Sequence, residues 1–225
     1  MELITEIADI ITSGYTTAEM SAEMTSTNAD HCFLETEADT IYFASVFVQP
    51  PIHSYFQSYI GRSRNLRSNK KTHFTHQAEV ANRTPGQTLT RSDFIYYAEK
   101  AEDFAAQVKA NYQGNPRVQD INPKLDVCFI VEYKRAHRID YVKFSQIASN
   151  DGTPISIHVK RFIAQCAAYA KQAQCKWVGL TDMCGFIIIH FPGMTSKGPG
   201  TSCEIFVTAD RNEIRRCWLG GLVAG

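Results

Sequence analysis

A continuous apolar run, Val127-Cys128-Phe129-Ile130-Val131, ends on Glu132-Tyr133-Lys134. An uninterrupted run of this length, rich in β-branched and aromatic residues, predicts a strand buried on both faces of a sheet. Side chains alternate along a strand, so Glu132 and Lys134, two residues apart, point to the same face at its end. Charged groups are rarely buried unless they are paired or bound to a metal. A Glu-x-Lys closing a core strand is therefore a candidate site, and mutual pairing of Glu132 with Lys134 alone is the structural alternative.

Downstream, AQCAAYAKQAQCKWVGLTDMCGFIIIHF predicts a helix and two strands. The helix spans Ser156 to Gln174, with Val159, Phe162, Ile163, Cys166 and Ala170 on its buried face. Arg161, Gln165 and Tyr169 form a separate stripe at four-residue steps. Strands follow at Trp177–Leu180 and Phe186–Phe191 around the turn Asp182-Met183-Cys184-Gly185, with a last strand at Glu204–Thr208. A closing helix from Asp210 is expected to stop at Gly220-Gly221.

The stretch Asn122–His137, with EYKRAHRI at its end, and the Gln165-x-x-x-Tyr169 helix before a core strand resemble the PD-(D/E)XK nuclease superfamily, in versions common in fungal proteins. The resemblance covers about Leu125 to Phe191. It implies an α/β, restriction-endonuclease-like fold with a mixed central sheet, and hydrolysis of phosphodiesters in nucleic acid with Mg²⁺ or Mn²⁺. It makes Glu132 a metal ligand, Lys134 the catalytic cation, and Gln165 and Tyr169 groups that hold substrate or support the ligands. The backbone carbonyl of Tyr133 could complete the coordination. By phrase, Asp126 is the second carboxylate, in Pro-Lys-Leu-Asp. On a straight strand, however, six residues separate it from Glu132 by roughly 20 Å. Asp120 lies across the Asn122-Pro123 turn and would face about Leu125 in a tight hairpin. Neither meets Glu132 without a bulge or a loop. The family also places an acid on the helix before the central hairpin, for which Glu99 or Glu102 could serve.

Upstream, Leu3, Ile4, Ile7, Ile10 and Ile11 have helical spacing and predict an N-terminal helical extension. Thr40–Val48 reads as a strand or the start of a helix, ended by Pro50-Pro51. Thr90–Tyr112 reads as a helix from the spacing of Phe94, Ala98, Ala101, Ala105, Val108 and Tyr112. Arg117–Ile121 reads as a short strand, and the chain from His137 to Asp151 as irregular. The expected sheet has Val127–Lys134 at its middle, flanked by helices over 92–112 and 156–174.

Charge is unevenly spread. Residues 1–39 hold nine acids and no Lys or Arg, so the remaining 23 basic residues face 23 − 9 = 14 acids, a formal +9. The organisation expected is an acidic extension, 1–39, and a nuclease-like domain, 40–225. Arg62, Arg64, Arg67, Lys70 and Lys71 fall in a Gly/Ser/Asn-rich loop suited to phosphate contacts, and Arg161 joins them as a candidate nucleic-acid contact. No apolar stretch approaches a membrane span. Seven cysteines without regular spacing suggest reduced thiols and an intracellular protein, and the lack of any Cys-x-x-Cys argues against structural zinc. His137 reads as structural, and Cys128, Cys166 and Cys184 as core residues. The alternative function is the same fold without nuclease activity, as a small-molecule enzyme or a binding module.

Overall fold

The computed structural model describes residues 35–53, 72–82, 90–100, 126–149, 152, 154–195 and 197–225, with backbone only at 72–82, 90–92, 97–100 and 126. The fold is α/β, a mixed six-stranded sheet flanked by helices. Its strands are β1 (Thr72–Asn82), β2 (Thr90–Lys100), β3 (Asp126–Tyr133), β4 (Trp177–Thr181), β5 (Phe186–His190) and β6 (Glu204–Thr208), neighbours in that order. β3 and β4 pair in parallel and every other pair is antiparallel. The helices are α1 (Glu37–Phe43), α2 (Tyr141–Ala148), α3 (Ile157–Ala173) and α4 (Ile214–Ala224). None among the described residues is long and apolar enough to cross a membrane.

Strand alternation divides the core into two layers. Phe94, Tyr96, Phe129, Val131, Tyr133, Phe186 and Ile188 pack on one face with α1 and with Trp218, Leu219 and Leu222 of α4. Ile95, Val127, Ile130, Val178, Leu180, Ile187 and Ile189 pack on the other face, against Phe144 of α2 and Val159, Phe162, Cys166, Tyr169 and Ala170 of α3. The β2–β3 ladder is irregular between Tyr96 and Tyr97: Tyr96 faces Phe129 and Tyr97 faces Val127, leaving Cys128 as the extra residue of a bulge. Cys128 and Phe129 accordingly lie on the same face.

The strands at 177–181, 186–190 and 204–208 and the helix at 157–173 lie where the sequence places them, with β3 inside the sheet. Other expectations are overturned. Residues 90–100 are a strand, not the start of a helix, because Phe94 and Tyr96 bury into one layer while Ile95 buries into the other. The face assigned to a helix over 92–112 is covered instead by α1 and α4. The segment after His137 contains α2, capped by Asp140, which accepts the Lys143 N–H at 3.1 Å, and anchored by buried Tyr141 and Phe144.

Thr40–Val48 is helical, α1 widening into a π-helical turn at Ala44–Val48, and the chain stays helical to His53. Pro50 and Pro51 do not end it: the helix runs on through both to His53. α4 runs through Gly220-Gly221, because the ring of Phe129 takes the space of a side chain at Gly221: a Cβ there would lie 2.6 Å from it. The expectations for residues 1–34, 61–71 and 101–125 lie outside the described residues. α1 begins at Glu37 and so crosses the 39/40 boundary.

Candidate functional site

Glu132 emerges on the α3 side of the sheet at the end of β3, 2% exposed. Its Oε1 accepts three donors. Lys134 Nζ forms a close ion pair with it, Gln165 Nε2 donates at 2.6 Å, and Tyr169 OH donates at 3.3 Å. Gln165 also donates to the Tyr169 hydroxyl at 2.7 Å. The four-residue stripe on α3 thus reads onto the end of β3, since residues four apart share one helix face. Oε2 of Glu132 is equally buried and receives no hydrogen bond from the described residues.

The second carboxylate is Asp93. It stands three residues into β2, one residue before Phe94, which pairs with Val131. In antiparallel strands the start of one lies beside the end of the other, which brings Asp93 level with Glu132. The two carboxyl groups interact side chain to side chain, and Asp93 Oδ2 accepts the Tyr133 N–H at 2.8 Å. A third acid, Glu37 in the first turn of α1, comes within 3.7 Å of Lys134 Nζ.

Electrostatics follow from this crowding. Burial first, and then the charge of Asp93, push the Glu132 carboxyl up to about 8, against the opposing pull of Lys134. Burial also raises Asp93, with the Tyr133 N–H and Lys134 holding it down. Burial works to lower the Lys134 ammonium, but Glu132, Glu37 and Asp93 outweigh it and leave it above its ordinary value. Tyr169 is pushed up by burial and then by Glu132, so its hydroxyl keeps its proton and acts as a donor.

Of the residues expected at the site, Glu132, Lys134, Gln165 and Tyr169 are brought together. Asp126 is not: it begins β3, opposite Ala98, at the far end from Glu132. Asp120, Glu102, Arg62, Arg64, Arg67, Lys70 and Lys71 lie outside the described residues. Glu99 is on β2 opposite His73, not on a helix. Arg161 is exposed on α3, one turn ahead of Gln165. The sequence reading missed Asp93 and Glu37. Ile95-Tyr96-Tyr97, β-branched and aromatic, was the available signal that the acid before it sits on a strand.

Two adjacent carboxylates with one buried oxygen lacking a donor fit a hard divalent cation, which takes oxygen ligands and offsets exactly this kind of repulsion. Among the described residues, no group of three or more His, Cys, Asp or Glu is arranged to hold a metal ion. Mg²⁺ commonly uses only one or two carboxylates and leaves its other positions to water and substrate. Compared with known proteins, the chain matches no family model, no curated protein and no solved structure.

Proposed function

We propose that the chain is a PD-(D/E)XK-type, metal-dependent phosphodiesterase acting on nucleic acid, with a restriction-endonuclease-like fold. The observation that carries this reading is the meeting of Asp93, from the start of β2, with Glu132 and Lys134, from the end of β3, on one face of the sheet. Asp93 and Glu132 would hold Mg²⁺ or Mn²⁺. Such an ion supplies an acidified water and charge compensation at the phosphoryl oxygens.

The remaining chemistry belongs to the chain's own residues. Lys134, held above its ordinary value by Glu132, Glu37 and Asp93 despite its burial, stabilises negative charge growing on the phosphoryl group or orients the attacking water. Gln165 and Tyr169 fix Glu132 through Oε1, which leaves Oε2 free to take an ion. Arg161, exposed on the same stripe, is the candidate contact to a neighbouring phosphate.

The test is cleavage of single- and double-stranded DNA and RNA with Mg²⁺, Mn²⁺ or chelator. Glu132→Gln and Lys134→Ala should each lower the rate by on the order of 10²-fold or more, and Asp126→Asn should leave it unchanged. A wild-type chain that cuts nothing and shows no divalent-metal binding by calorimetry refutes the reading. A binding module or small-molecule enzyme on this fold would then take its place.

A further inference from the structure

A second cluster lies at the turn between β4 and β5. The Cys184 sulfur is 3.6 Å from Nδ1 of His137, in the link after β3, and neither residue belongs to the carboxylate site. Both segments are fastened by one buried group. Asp182 accepts the Ile139 N–H at 3.1 Å, the Tyr141 hydroxyl at 2.7 Å and the Cys184 N–H at 3.0 Å. Thiol and imidazole are thus held in register by a shared anchor instead of meeting as two loose side chains.

Three of the other described cysteines are held as thiols by burial. Burial raises Cys166 and Cys203, and pushes Cys217 up to about 12. Cys128 and Cys175 have S–H groups placed to donate to the carbonyls of Tyr96 and Trp177, at 3.3 and 3.2 Å. Cys184 combines an imidazole partner with a partly open position, and His137 is exposed. A thiol beside an imidazole can pass its proton across, and the thiolate is the nucleophile.

We propose that Cys184 and His137 form a thiol-modification site that reacts with low-molecular-weight disulfides. The Cys184 proton passes to Nδ1 of His137, and the thiolate attacks one sulfur of the disulfide. The S–S bond breaks as the new one forms. The departing thiolate takes the proton from His137, so the products are a mixed disulfide on Cys184 and one free thiol, with no net change in electrons.

The experiment treats the full-length native chain with limiting iodoacetamide, and separately with oxidised glutathione, and maps adducts by peptide mass spectrometry. Cys184 should be labelled first among the six described cysteines. His137→Asn, chosen because Asn tolerates the left-handed backbone at φ 60°, should slow Cys184 by about 10-fold or more and leave the rates at the other described cysteines unchanged. Wild-type labelling that favours any other described cysteine overturns the proposal without recourse to a variant. So does a folded His137→Asn chain in which Cys184 reacts as before.

Discussion

Replacing Asp93 with Asn separates the needs of the fold from those of the site. In the native chain the Asp93 carboxyl accepts the Tyr133 N–H and otherwise faces Glu132, whose Oε2 receives no donor. An asparagine keeps an oxygen for Tyr133 and turns an amide N–H towards Glu132. It removes one of two like charges and gives a donor to an orphaned buried acceptor. Satisfying such an atom is worth about 1–3 kcal/mol. A gain near 2 kcal/mol raises Tm by about 4–8 °C in a chain of this size. Asp93→Asn should therefore be more stable than wild type in chelator at pH 9, where Glu132, pushed up to about 8, is ionised, measured by thermal unfolding.

Divalent metal should reverse that ordering. A ligand at 100 times its Kd stabilises the state that binds it by about 2.7 kcal/mol. Wild type gains this on titration with Mn²⁺, and Asp93→Asn, with one carboxylate left, gains much less and loses cleavage. A variant less stable than wild type in chelator would refute the repulsion argument. A variant with the full wild-type metal response would remove Asp93 from the site.

Two further predictions rest on packing and titration. A carboxyl raised in the folded state contributes stability that is complete below its unfolded pKa and lost as pH rises through the folded value. With Glu132 pushed to about 8, metal-free stability should fall from about pH 4.5 to pH 8, and Glu132→Gln should flatten that fall in urea unfolding at pH 5, 6.5 and 8; equal slopes in the two proteins would contradict it. Gly179→Ala should cost about 1–3 kcal/mol, because a Cβ there would lie 2.7 Å from the Phe186 ring and 3.1 Å from that of Phe129; an unchanged midpoint in denaturant would mean the rings yield freely.

What the sequence disclosed and what it hid follow one physical line. β3, α3 and β5 could be read because their apolar residues outnumber the alternatives: a run such as Phe186-Ile187-Ile188-Ile189 has few other fates. Glu132, Lys134, Gln165 and Tyr169 could be read because each pair is local, two residues apart on a strand or four on a helix. Asp93 could not be found that way. Its partner is 39 positions on, and the pairing depends on how two strands dock. Phe94 and Ala98 also fall at helical spacing, which masked the alternation of Phe94, Ile95 and Tyr96 between the layers. Antiparallel geometry puts the second acid at the start of the neighbouring strand, level with the end of β3.

The bulge at Cys128 has a consequence for the phase of the whole hairpin. From the pairs Ala98–Asp126 and Tyr97–Val127, an unbroken ladder would go on to set Tyr96 against Cys128 and, three steps later, Asp93 against Val131. Residues directly opposite share a face, so Asp93 would leave the face of Glu132 and join that of Val131 in the other layer. The one extra residue advances β3 by a single position, and Tyr96 meets Phe129 instead. The meeting of the two carboxylates is thus decided four residues away from Glu132, by a residue packed on the other face of the sheet. Deleting Cys128 would alter no group of the site and yet, through register alone, take its two acids to opposite sides of the sheet.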